Sequence, residues 1–331
     1  MWQKLRDEVA KKTPPGRQPP FVAAPEVSLK QVPLQPTETE TRKHYQTLIE
    51  AFPDLSINAD ARFELAELLG ARGEHDAAIK LLRDALDKEP PPELTDKIRL
   101  RLGDCLLRKG DLKAALAQFE PLAANAKSAQ CAQAKYRAGE CQLQLNARAE
   151  AVKHLAVFRD QGPFQNLPGL TERALLRLGY ALGLLKQWEA GRQAYEQVVN
   201  RFGSGPWVHE ARYGIGWAYQ NQGQYDNAVN AYNQLINNVA TELAARAQMN
   251  IGLCRLAQKR YAEASTALLV VPFTYDYPHL SALSLVEAAR AFSENKQNAQ
   301  AVKLLERVLR DHPDTESAGV ARKRLEELKK S

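Results

Sequence analysis

The sequence predicts an all-α fold of stacked helix–turn–helix units, and three observations carry that expectation. One frame of small, turn-forming and large apolar residues recurs seven times along the chain. Between these marks the apolar residues keep helical spacing. Proline, which interrupts helices, gathers ahead of the frame, with seven of the 18 prolines in residues 13–37.

The stretch YGIGWAYQNQGQYDNAVNAYNQLI, residues 213–236, sets out one unit. With Gly216 as anchor, a glycine follows seven residues on, an alanine twelve on and an aromatic sixteen on. The same frame starts at Ala66, Gly103, Gly139, Gly179, Gly216, Gly252 and Ala289, with spacings of 37, 36, 40, 37, 36 and 37 residues. Twelve past each anchor stand Ala78, Ala115, Ala151, Gly191, Ala228, Ala264 and Ala301. Sixteen past stand Leu82, Phe119, Leu155, Tyr195, Tyr232, Leu268 and Leu305. The seventh position is Gly73, Gly110, Asn146, Lys186, Gly223, Lys259 and Lys296. Glycine and asparagine suit a left-handed turn at a helix end, and lysine suits it less well. Each unit therefore reads as helix A, a tight turn and helix B.

A glycine inside a helix costs about 1 kcal/mol relative to alanine, so the five anchor glycines together cost roughly 5 kcal/mol. Close approach of helix B must return more, and the anchor is expected to meet the small residue of helix B.

This frame resembles the tetratricopeptide repeat, in which an apolar and a small residue adjoin in helix A and an alanine and an aromatic follow in helix B. The matching pairs are Leu65-Ala66, Leu102-Gly103, Ala138-Gly139, Leu178-Gly179, Ile215-Gly216, Ile251-Gly252 and Ala288-Ala289, with Pro90, Pro163 and Pro313 closing three units. The tryptophan usual four residues before the anchor is replaced by Arg62, Arg99, Lys135, Leu175, Arg212, Gln248 and Leu285. The resemblance implies a right-handed α-α superhelix, a repeat solenoid used as a protein-binding scaffold. The blocks YQTLIEAFPDLSINADARFELAELL and LLERVLRDHPDTESAGVARKRLEEL are also loosely similar to repeats of bacterial cell-envelope assembly proteins.

The expected organisation is a proline-rich, extended or disordered tail over 1–37, an orphan helix over 38–57, seven repeats over 58–313 and a capping helix over 314–331. Solenoid ends need polar outer faces, which Arg322, Lys323, Arg324, Glu326 and Glu327 supply.

By the same resemblance, residues three before and one after the anchor line the inner surface. The first row is Phe63, Leu100, Tyr136, Leu176, Tyr213, Met249 and Val286, and the second is Glu67, Asp104, Glu140, Tyr180, Trp217, Leu253 and Arg290. The second row turns from carboxylates to aromatic and apolar residues at the fourth repeat. Tyr136, Leu176, Tyr180, Tyr213, Trp217, Met249, Leu253 and Arg290 are therefore the candidate partner-binding residues of a groove over repeats four to six. Packing against neighbouring repeats is the alternative use of the same side chains. A basic stripe of Arg101, Arg137, Arg173 and Arg177 is a second candidate contact, for an acidic partner. Its alternative is local pairing of Arg101 with Asp104 and Arg137 with Glu140, with Arg177 lying on the ring of Tyr180. The segment 270–283, with Phe273, Tyr275, Tyr277 and His279, reads as an aromatic loop between repeats six and seven.

Other classes fit poorly. The six histidines are scattered without ligand spacing, so no metal or other cofactor is expected. Cys105, Cys141 and Cys254 each fall two residues after an anchor and read as buried fillers, not nucleophiles. No phosphate-binding loop is present, and an enzyme is not expected. Helical repeats that read RNA place small polar residues inward, whereas the inward row here is apolar in all seven units, so the expected partner is a protein or peptide and not a nucleic acid. A net charge of +6 from 45 basic and 39 acidic residues demands no polyanion. No apolar run is long enough to insert in a membrane. The opening MWQKLRDEVAKK lacks the apolar core of an export signal, so the chain as read is expected in the cytoplasm, or in the periplasm or cell envelope if a leader preceded it. The proline-rich tail is also a candidate for self-association, lying in the groove of its own or another copy.

Overall fold

The computed structural model describes residues 33–53, 55, 57–236 and 241–330. Most of the expected proline-rich tail lies outside the described residues. Among the described residues the regular structure is helical throughout. The chain divides at Leu185/Lys186 into two compact units.

The first unit opens with α1 (Pro36–Ala51). Hairpins α2 (Ile57–Ala71) with α3 (His75–Leu86) and α4 (Pro92–Lys109) with α5 (Leu112–Ala124) follow. Next come α6 (Cys131–Gln144), α7 (Arg148–Leu155), the short α8 (Val157–Asp160) and α9 (Thr171–Leu184). The second unit begins with α10 (Trp188–Arg201) and continues with hairpins α11 (Val208–Asn221) with α12 (Tyr225–Ile236) and α13 (Glu242–Ala257) with α14 (Tyr261–Thr274). It ends with α15 (Pro278–Glu294), α16 (Asn298–Asp311) and α17 (Glu316–Lys330). Helix α1 begins at Pro36, two residues before the expected start, because proline at the first helical position costs no hydrogen bond.

All seven turn positions adopt positive φ: Gly73, Gly110 and Gly223 at 76°, 84° and 75°, and Asn146, Lys186, Lys259 and Lys296 at 60–62°. The lysines thus take the conformation that glycine takes, although each Cβ strains it. Register is set by packing of the flanking helices, and the turn residue follows.

The anchors meet a different partner from the one expected. A Cβ added to Gly216 would lie 2.6 Å from the ring of Tyr232, sixteen residues on. Gly103, Gly139 and Gly252 stand in the same relation to Phe119, Leu155 and Leu268. The large residue of helix B therefore lies across the anchor, and the small residue twelve on lets the backbones close. At Gly252 the carbonyl of Ala264 would be 3.2 Å from such a Cβ. Gly214, outside the frame, is cleared by Tyr195 in the same way, at 2.6 Å. These side chains are fully buried and form the core along each stack.

The expected aromatic loop is mostly helical. In segment 270–283, α14 runs to Thr274 and α15 starts at Pro278, leaving three residues between them. Phe273 projects from the end of α14 with the Arg307 guanidinium 5.0 Å from its ring centroid. In segment 159–172, a 3-10 turn (Gly162–Phe164) sets Phe164 edge-on to Phe158 at 5.8 Å. Thr171 closes that segment by donating its hydroxyl to the Phe164 carbonyl at 2.7 Å.

Two glycines of one hairpin separate the packing cost from the conformational one. Gly216→Ala drives a methyl into Tyr232 and is expected to cost about 2 kcal/mol. Gly223→Ala meets nothing within 4 Å and is expected to cost about 1 kcal/mol through its positive φ alone. Lys259→Gly is expected to raise stability by up to about 1 kcal/mol. Urea midpoints of the three variants check the order.

Candidate functional site

The A helices of the first unit are joined by a ladder of ion pairs. In each rung the carboxylate one after an anchor meets the arginine two before the next anchor. Arg101 forks onto Glu67 through Nε and Nη2. Arg137 Nε lies 2.8 Å from Asp104 Oδ1. Arg177 Nη2 donates to Glu140 Oε1 at 3.0 Å. The partners sit 33 to 37 residues apart, one repeat, so the rungs hold neighbouring repeats in register. The rungs sink along the stack: the carboxylate side chain is 32% exposed at Glu67, 16% at Asp104 and 8% at Glu140.

Glu140 anchors the deep end. It also accepts from the Tyr136 hydroxyl at 2.8 Å and from Arg137 Nη1 at 2.9 Å. Burial raises its pKa, but the charges of Arg177 and Arg137 and the bonds from Arg137 and Tyr136 outweigh that and leave it below the ordinary value. Arg173 lies 4.9 Å over the ring of Tyr136.

The basic stripe is thus largely committed to internal partners. Of the two local pairs expected, Arg137–Glu140 forms, whereas Arg101 reaches back to Glu67 of the preceding repeat. Arg177 pairs with Glu140, and its charge also acts on the phenol of Tyr180, whose ring it was expected to meet. Sequence reading weighed only i,i+3 neighbours for Arg101 and Arg137, whereas the rungs join residues 34, 33 and 37 apart.

The candidate groove residues divide between the units. In the first, Tyr136 and Leu176 are buried and Tyr180 is half-buried, its phenol pushed up by burial. In the second, Tyr213 is buried and its hydroxyl accepts from Asn250 Nδ2 at 2.9 Å. Tyr232 donates to Gln220 Oε1 at 2.8 Å and accepts from Asn250 Nδ2 at 3.2 Å. Asn250 holds the place that arginine holds in the ladder, so a neutral polar link joins repeats five and six.

Trp217, 3% exposed, is met edge-on by Trp188 at 5.1 Å and 86°. Met249 is buried, Leu253 is half-buried and the Arg290 side chain is 48% exposed. Tyr213, Trp217 and Met249 therefore form the interior beneath this face, and Leu253 and Arg290 are presented upon it.

Sequence reading missed Glu210, which stands one turn before Tyr213 on the same helix face. Its Oε2 is enclosed without a hydrogen-bond partner, and no cation pairs with it among the described residues. Burial raises its pKa, offset in part by its own backbone N–H. Nearby Arg246 is satisfied by Glu242 at 2.6 Å. Glu242 is held down to about 2, chiefly by a hydrogen bond from His279 and then by Arg246, against a rise from burial.

All four cysteines are buried, and burial pushes Cys105, Cys141 and Cys254 up to about 11, 12 and 12. Among the described residues no cluster of three or more His, Cys, Asp or Glu is arranged to hold a metal ion, and no helix is long and apolar enough to cross a membrane.

The graded burial of the ladder predicts graded costs. Glu140→Gln leaves two enclosed arginines short of charge and is expected to cost about 3 kcal/mol. Glu67→Gln is expected to cost under about 1 kcal/mol. The Glu140 contribution is present above the ordinary glutamate range and is lost as pH falls through its lowered native pKa. Urea unfolding at neutral pH and under progressively more acid conditions checks both statements.

Family models of the tetratricopeptide repeat match residues 41–93, 97–166 and 213–271, and a second such model matches 173–204 and 283–315. No curated protein sequence matches the chain. Among solved structures, a tetratricopeptide repeat protein from Parabacteroides merdae is 16% identical, covers 82% of this chain and 98% of its own, and superposes with a TM-score of 0.56. The C-terminal part of a repeat protein from Cytophaga hutchinsonii is 14% identical over 78% of this chain and 98% of its own, with a TM-score of 0.60. A signal-transduction ATPase of Pyrococcus horikoshii with a tetratricopeptide repeat sensor is 18% identical over 89% of this chain and 48% of its own, with a TM-score of 0.54. At these identities the likeness is one of fold. The anchored hairpins, the seven left-handed turns and family matches over most of the length make this chain a member of the tetratricopeptide repeat family.

Proposed function

We propose that this protein is a non-enzymatic scaffold that binds a segment of a partner protein along the A-helix face of its second unit. Tetratricopeptide repeats generally mediate protein–protein interaction, and family members are generally scaffolds without catalytic activity of their own. The observation that carries the placement is the contrast between the units. On the first, three of the four residues one after the anchor, Glu67, Asp104 and Glu140, are spent on ion pairs between repeats. On the second, the same row offers Leu253 and Arg290 above a packed floor of Trp217 and Met249. A presented apolar side chain on a rigid aromatic floor, flanked by a guanidinium, is the composition of an interface centre.

The floor residues make poor test positions, because Trp217→Ala opens a cavity expected to cost about 3 kcal/mol. Leu253→Asp with Arg290→Glu alters what the face presents and leaves the floor intact. In a pull-down from the source organism's lysate, with circular dichroism confirming folded proteins, a partner held by the wild type and lost by the double variant is expected. A partner held equally by both would move the site off this face.

A further inference from the structure

The A-helix face of the second unit is electrically polarised. At its first helix, α11, the half-buried Glu210 has no cation paired with it among the described residues, and its Oε2 is enclosed without a hydrogen-bond partner. On the middle helix, α13, Arg246 and Glu242 neutralise each other at 2.6 Å, with His279 approaching Glu242 at 3.6 Å. On α15 the balance reverses. One buried carboxylate, Glu287, is shared by Arg290 at 3.4 Å and Arg324 at 3.6 Å, leaving an excess guanidinium that is half exposed at Arg290. On the helix between them, α13, stands half-buried Leu253, and Trp217 lies buried on α11 two turns after Glu210.

We propose, resting on the scaffold reading above, that this face binds an extended partner segment in one direction only. A lysine or arginine of the segment meets Glu210, apolar side chains cover Leu253 and the edge of Trp217, and an aspartate or glutamate meets Arg290. Packed helices lie about 8–10 Å apart, so α11 to α15 spans about 20 Å. That is roughly six residues of extended chain at about 3.3 Å each. The occupant is a polypeptide because a phosphate backbone carries one sign of charge throughout and would be repelled at Glu210. Charge at the two ends gives register and orientation, which apolar contact alone does not.

The test is selection of random twelve-residue peptides displayed on phage against the immobilised full chain, run in parallel on the wild type and on the double variant E210K/R290E. Selection is expected to enrich peptides reading basic–apolar–acidic with the wild type and the inverted order with the variant. A synthetic peptide of the wild-type consensus should bind the variant at least tenfold more weakly by fluorescence anisotropy. If the double variant does not fold, Glu210→Gln and Arg290→Gln replace it, and each should relax selection at its own end only. Enriched peptides without charge polarity, or the same consensus from both proteins, overturn the inference while the scaffold reading stands. Failure to enrich any peptide on the wild type, with the lysate partner also absent, overturns both.

Discussion

The structure rests on one contact, shown by four of the hairpins: a large side chain of helix B laid across a glycine of helix A. Tyr232 over Gly216 is the clearest case, and Phe119 over Gly103 and Leu268 over Gly252 repeat it. The cost of glycine in a helix is offset because the ring takes the volume a methyl would fill, at crystal-like packing density. The contact also sets the angle at which the second helix leaves the turn. Lysine at three of the seven turns adopts φ near +60° against its own preference, Lys259 in the hairpin where Leu268 covers Gly252.

Hairpins alone do not make a stack, and the chain joins neighbouring repeats by two chemistries. In the first unit, carboxylate and guanidinium rungs link each A helix to the next, and the rungs become drier from Glu67 to Glu140. In the second, Asn250 bridges Tyr213 and Tyr232, and Trp188 meets Trp217. An ionic rung is directional and sensitive to charge, while an aromatic join tolerates rearrangement of its polar surroundings. The change of chemistry frees the A-helix face of the second unit from internal ion pairing at Glu210 and leaves Arg290 half exposed.

That distinction governs where binding is proposed. A side chain already paired inside the fold has little interaction energy left for a partner, which applies to Arg101, Arg137 and Arg177. A charge enclosed without a counter-ion is the opposite case, since its desolvation has been met and its pairing has not. Repeat proteins are suited to this division of labour because each unit is stabilised by its nearest neighbours, so one stretch of the face can be specialised while the rest holds the stack.

The sequence by itself determined the helical repeat, its period, the two faces of helix A and the position of every turn, because each is a local periodicity. Gly216, Gly223, Ala228 and Tyr232 carry that information within seventeen residues. The tertiary structure alone decided which side chains of the inner row are interior and which are presented. Tyr213 and Leu253 occupy the inner rows of adjacent repeats, yet Tyr213 is enclosed by Asn250 of the next repeat and Leu253 remains half open. The rungs from Glu67 to Arg101 and from Glu140 to Arg177 join residues 34 and 37 apart. That Glu210 has no cation paired with it among the described residues is likewise a tertiary fact. Burial and pairing of this kind depend on contacts between repeats, and local residue patterns encode those contacts only after the repeats have stacked.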